Sequence, residues 1–108
     1  MQVVEYLTAS GGSPFGIWFG QLDTRAAAKV TVALAWMEQG NLSDAKSVGA
    51  GVWERRIDFG PGYRLYFGRD GQRLVIVLAG GTKRRQQNDI EDAKARWKDH
   101  RARKKTGG

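Results

Sequence analysis

A chain of 108 residues, 41% of them hydrophobic, can bury one core but not two, so a single domain over residues 1–100 is expected. The absence of cysteine excludes a disulfide staple and a thiolate metal site, and the lone histidine, His100, cannot assemble a zinc site unaided; neither metal nor cofactor is expected. The net charge of +7 is uneven: from Lys83 onward ten Lys and Arg stand against four Asp and Glu, a distribution that attracts polyanions such as nucleic acid.

Met1 is followed by a short alternating run with Glu5 rather than by a basic and then apolar segment. No apolar stretch approaches the length of a membrane span, so the expected location is the cytoplasm, with no membrane partner. Gln2 to Leu7 is β-rich at its centre and reads as an edge strand, and Thr8 to Ser13 as a loop. Ser13-Pro14 supplies an N-cap and a first-turn proline for a short helix through Phe19. Asp23 caps a second helix, Thr24 to Gln39, stopped by Gly40-Asn41, with Ala26, Val30, Ala33, Leu34 and Met37 as its buried stripe. Asn41 to Gly51 is a connector in which Ala45 to Val48 can extend as a strand, and Lys46 within it is a candidate RNA-phosphate contact.

From Gly51 to Lys83 the pattern predicts three antiparallel strands: Val52 to Phe59, Tyr63 to Arg69 and Gln72 to Ala79. Asp70-Gly71 favours a two-residue turn, because Asp-Gly tolerates the positive φ that such a turn needs. Arg69 would then pair with Gln72, and Phe67, Leu65 and Tyr63 would face Leu74, Ile76 and Leu78. A three-residue Gly60-Pro61-Gly62 loop would pair Ile57 with Leu65 on that same apolar side. Glu54, Arg56, Asp58, Arg64 and Tyr66 would stand together on the opposite, polar side. Gly80-Gly81-Thr82 reads as a flexible turn leading to Lys83-Arg84-Arg85. A last helix from about Gln86 buries Ile90, Ala93 and Trp97, and residues 101–108 are expected to form a basic, frayed or disordered tail.

A polar strand face with Arg56 and Arg64 beside a turn carrying Lys83, Arg84 and Arg85 can cradle a phosphodiester backbone, and the Tyr66 ring can stack on an unpaired base. Cleavage without a metal would proceed by attack of the RNA 2′-hydroxyl on its neighbouring phosphate. Such a reaction needs a base, cations and an acid for the leaving oxygen. Glu54 is placed for the base, Arg64 for charge stabilisation and Lys83 for either charge stabilisation or proton donation. Glu54 and Asp58 can equally be structural partners of Arg56 and Arg64.

Three stretches carry a family resemblance: Glu54-x-Arg56-Ile57-x-Phe59-Gly60-x-Gly62-Tyr63-Arg64-x-Tyr66, then Gly80-Gly81-x-Lys83, then Gln86 or Gln87 with Asp89-Ile90. Together they resemble the HigB-like, phage Gp49-type branch of the RelE/ParE toxin superfamily. The resemblance implies a RelE-like α+β fold, with N-terminal helices on a twisted, mainly antiparallel sheet of four to five strands and a C-terminal helix. It also implies the toxin of a type II toxin-antitoxin module, partnered by a small helix-turn-helix antitoxin encoded beside it. In the RelE and HigB branches the toxin enters the ribosomal A site and cleaves mRNA without a metal. Carried over by residue, the strand arginines are Arg64 and Arg56, and the basic residue after the last strand is Lys83 or Arg84.

Ribosome-dependent members often carry a second lysine where this chain has Glu54, and some use a Tyr or His where it has Asn88 to Ile90. Two other readings therefore stand beside the nuclease. One is a gyrase inhibitor as in the ParE branch; the other is a phage protein that binds RNA or antitoxin but has lost catalysis.

Overall fold

The computed structural model describes residues 1–106. In chain order they form β1 (Gln2–Glu5), α1 (Pro14–Gly20), α2 (Thr24–Glu38), β2 (Ala45–Gly49), β3 (Val52–Ile57), β4 (Tyr63–Asp70), β5 (Leu74–Thr82) and α3 (Gln86–Thr106), with a 3-10 turn, Lys83–Arg85, leading into α3. The helix starts follow local chemistry. The Ser13 hydroxyl accepts the Gly16 N–H at 2.9 Å with proline at the next position, and Asp23 Oδ1 accepts the Ala26 N–H at 2.8 Å. Each cap satisfies an amide that has no carbonyl partner within its own helix.

The five strands form one mixed sheet in the order β1-β5-β4-β3-β2, with β1 at an edge and parallel to β5 and the other neighbours antiparallel. This is the α+β architecture expected. On one face α1 and α2 set Phe15, Val30, Ala33 and Met37 against Leu65, Phe67, Val75 and Val77. On the other, α3 sets Ile90, Ala93 and Trp97 against Val52, Tyr66, Ile76 and Leu78. Helix and strand approach so closely here that a Cβ on Gly68 would lie 2.3 Å from the Trp97 ring.

Two registers differ from the sequence expectation. The β3–β4 connection is Asp58 to Gly62, so Ile57 pairs with Tyr63, Arg56 with Arg64 and Glu54 with Tyr66. Its cause is a turn over Phe59 to Gly62, closed by the Gly62 N–H donating to the Phe59 carbonyl at 3.0 Å, with Gly60 and Gly62 at positive φ. The shift is even, so it leaves every side chain on its expected face.

The β4–β5 shift is odd at the turn, and it changes the molecule. Asp70 pairs with Leu74 across Gly71-Gln72-Arg73, and Phe67 therefore pairs with Val77. A bulge between Tyr66 and Phe67 then sets Tyr66 opposite Ala79 and Leu65 opposite Gly80. Ile76 and Leu78 consequently lie on the α3 side, away from Leu65 and Phe67. The polar side expected from the hairpins is thus half covered by a helix.

Two further segments differ from expectation. Gly80 and Gly81 belong to β5 rather than to a flexible turn: a Cβ would meet the Trp18 ring at 2.2 Å on one side and the Asp89 carboxylate at 1.9 Å on the other. Residues 101–106, expected to fray, continue α3. Tyr6 Oη donates to Asp99 at 2.6 Å, Arg103 donates to both Tyr6 and Asp99, and Lys104 pairs with Asp70, so polar ties hold this turn where apolar anchors are missing. Gly107 and Gly108 lie outside the described residues.

Candidate nucleic-acid interface

Because the β3–β4 turn is wide and Lys83 begins the turn after β5, these two turns and the adjoining ends of β3 and β4 line a cleft of about 340 Å³. Arg56, Asp58, Arg64 and Lys83 supply its charged lining. Arg56 and Arg64 are direct cross-strand neighbours, a like-charge pairing that is unfavourable unless carboxylates or a bound anion offset it.

The two arginines are offset differently. Arg56 is exposed, and its guanidinium lies 4.0 Å from a still more open Asp58, a pairing that contributes little in water. Arg64 is only 5% exposed. Its Nε lies 3.7 Å from Glu54 Oε2, and its Nη1 donates to the Gly62 carbonyl at 3.3 Å. The buried carboxylate and the turn carbonyl hold the guanidinium in one place at the cleft wall.

Glu54 is fully buried, beneath the cleft rather than in it. Gln86, the first residue of α3, donates to its Oε2 at 2.9 Å, and Lys46 Nζ stands 3.7 Å from its Oε1. Neither Glu54 Oε1 nor the Tyr66 hydroxyl has a hydrogen-bond partner among the described residues. Burial first, and then the Glu54 carboxylate, push the Tyr66 phenol above its ordinary value, so it stays protonated.

The expected set is therefore divided. Arg56, Arg64 and Lys83 converge on one cleft. Glu54 lies below it and, as placed, reaches no solvent-borne substrate. Tyr66, expected to stack on a base, is completely buried, because α3 covers the ring. Lys46 is exposed on β2 above Glu54, while Arg84 and Arg85 are exposed on the 3-10 turn outside the cleft lining.

Two contributors were not assigned roles from sequence. Gln86 stood in the family motif, but its bond to Glu54 depends on where α3 begins. Asp89, in the same motif, fits the space that the absent Gly81 side chain leaves. Burial, and next the Asp92 charge, raise its pKa against the lowering effects of Arg85 and Arg96.

No helix among the described residues is long and apolar enough to cross a membrane. Residues 17–98 match the family model described as phage derived protein Gp49-like. A protein of Haemophilus influenzae described only as uncharacterized is 43% identical over 81 residues, covering 74% of this chain and 82% of the relative. The matched segment contains both the cleft and the buried Glu54 cluster, and its sheet with N-terminal helices and a C-terminal helix is compatible with a RelE-like fold. The chain belongs to the Gp49-like family, a family of RelE/ParE-like toxins.

Proposed function

We propose that this protein is a toxin that cleaves translated mRNA in the ribosomal A site without a metal, and that a neighbouring helix-turn-helix antitoxin neutralises it. The observation that carries this reading is the convergence of Arg56, Arg64 and Lys83 with one open carboxylate, Asp58, around a single cleft. Arg64 and Arg56 bind the non-bridging oxygens of the scissile phosphate, where guanidinium groups form paired, charge-assisted bonds. Asp58 takes the proton of the 2′-hydroxyl as its oxygen attacks phosphorus. Lys83 returns a proton to the 5′-oxygen as its bond to phosphorus breaks, leaving a 2′,3′-cyclic phosphate and a 5′-hydroxyl. Glu54 is then a positioning residue, acting through Arg64. Lys46, Arg84 and Arg85 are left as outer contacts to the RNA backbone.

Induced expression should arrest growth and leave mRNAs cut inside codons only while they are translated. Arg64→Ala and Lys83→Ala should each relieve the arrest in a folded protein. Intact transcripts during arrest, or full toxicity of both variants, would remove the reading. The sealing of Glu54 favours, as a second reading, a protein that binds ribosomes without cutting. Ribosome association with no cut mRNA would select it, and DNA-damage induction with stable mRNA would move the target to gyrase.

A further inference from the structure

At the opposite end of the strands from the cleft, the C-terminal half of α3 overhangs the β2–β3 turn and the end of β4, enclosing a groove of about 1300 Å³. This is larger than the roughly 300–1,000 Å³ of a small-molecule pocket. At the 10–12 Å girth of an α-helix it admits about two to three turns.

The groove is apolar within and basic around. Trp53, Trp97, Ala95 and Ala102 contribute apolar lining. Around them stand Arg69, Lys94, Lys98, Arg101 and Lys105, none of which has a carboxylate within ion-pair distance among the described residues. Asp70 is the one acid in the lining, and Lys104 and His100 already hold it.

A basic surface with tryptophans invites comparison with a single-stranded RNA site, where bases stack on open rings. The Trp97 ring is not open. The His100 ring stacks on it at 5.3 Å with an interplanar angle of 14°, and the β4 backbone at Gly68 presses on it from the sheet. What the groove offers instead is an apolar trough bounded by unneutralised cations.

We propose that this groove receives an acidic amphipathic helix of a partner protein, with the helix's apolar stripe in the trough and its Asp and Glu residues on the surrounding cations. This is the helix-in-groove mode of recognition, here with charge selecting the partner. It does not depend on the chemistry of the cleft, which lies at the other end of β3 and β4.

The test uses the full chain and a fluorescein-labelled, capped peptide of about four helical turns with leucine on one stripe and glutamate elsewhere. Anisotropy titration should show saturable binding that raised salt weakens. Lys98→Glu combined with Arg101→Glu should weaken it at least about tenfold, while Arg84→Glu combined with Arg85→Glu should leave it unchanged. Both pairs replace exposed residues, and circular dichroism would check that α3 is retained. The same leucine stripe with lysine in place of glutamate should not displace the probe.

Unchanged affinity in the Lys98→Glu/Arg101→Glu variant would overturn the proposal. So would displacement of the probe by single-stranded RNA at equal concentration, which would make the groove a nucleic-acid surface, or a protein dimer in analytical ultracentrifugation that the peptide dissociates, which would make it a self-association site. The groove variant should still cut translated mRNA. A parent protein that binds the peptide but cuts no mRNA would count against the cleft reading alone.

Discussion

The two faces of the sheet are built from the same strands and solve different problems. Beneath α1 and α2 the interface is mainly apolar, with Phe15, Val30, Met37, Leu65, Phe67 and Val77 packed together, and the buried Arg55 on that side donates to the Asn41 carbonyl. Beneath α3, apolar packing around Ile76, Leu78 and Trp97 gives way toward the cleft to Glu54, Arg64, Tyr66 and Gln86. Burial of apolar surface stabilises both faces, but only the second also orders a cation at the wall of the cleft. The first face is therefore governed mainly by packing volume, whereas the second constrains charge at the cleft.

The largest effects test that contrast. Phe67→Ala on the α1/α2 face should cost about 3–5 kcal/mol, as emptying a buried phenylalanine site usually does. Glu54→Ala should cost about the same, because it strands the Arg64 guanidinium. The double variants should then separate the faces. Glu54→Leu with Arg64→Met should recover most of the Glu54→Ala loss, since a buried ion pair can be replaced by apolar groups. Phe67→Ala with Met37→Ala should lose more than either change alone. Urea unfolding would measure all of these, and no recovery in the first double variant would make the ion pair a net stabiliser and break the contrast.

Arg64→Lys sharpens it further at moderate size. Lysine keeps the charge but cannot reproduce the planar fork that reaches from Glu54 to the cleft wall. Stability should fall by less than in Glu54→Ala, while growth arrest should be largely lost. Full arrest by Arg64→Lys would show that only charge is needed there.

How much of this was legible in the sequence depended on the kind of signal. Ser13, Asp23 and the stripe through Ala26, Val30 and Met37 gave α1 and α2 directly, because capping and helical periodicity are local. The β4–β5 register was not legible. Leu74-Val75-Ile76-Val77-Leu78 is apolar at every position, as a strand buried on both faces requires, so no alternation fixed which residues point which way. Asp70-Gly71 then looked like a two-residue turn, and every β5 side chain paired through it was placed on the wrong face. The cleft could still be anticipated because Arg56 and Arg64 share a face under any even shift. The burial of Tyr66 and Glu54 could not, since it depends on where a helix distant in sequence settles.

A smaller effect comes from the glycines that let the helices approach. Gly81→Ala should destabilise by about 1–3 kcal/mol through overpacking against Asp89. Adding Asp89→Ala should recover most of it, because the two sites share one space. An additive double variant would place the strain elsewhere.

The smallest effect is a difference in pH dependence between two carboxylates, Asp89 in the first turn of α3 and Asp70 of β4 beside its C-terminal end. Asp70 is held below its ordinary value of 3.8 by Lys104 and then His100. Its contribution is present above the unfolded value and lost as pH falls through the lower folded one. Asp89 is raised above 3.8, mainly by burial, so the fold favours its protonated form. Its contribution is complete below 3.8 and declines as pH rises through the raised folded value. Asp70→Asn should therefore lower the urea midpoint at neutral pH and converge on the parent protein in acid. Asp89→Asn should raise the midpoint slightly at neutral pH, by the equivalent of about 1–2 °C or less, given its partial exposure. It should also remove the decline that begins just above pH 3.8. An Asp89→Asn profile parallel to that of the parent throughout would show that the carboxylate beside Gly81 is no harder to ionise than one in water, and that this end of the α3 interface is open to solvent.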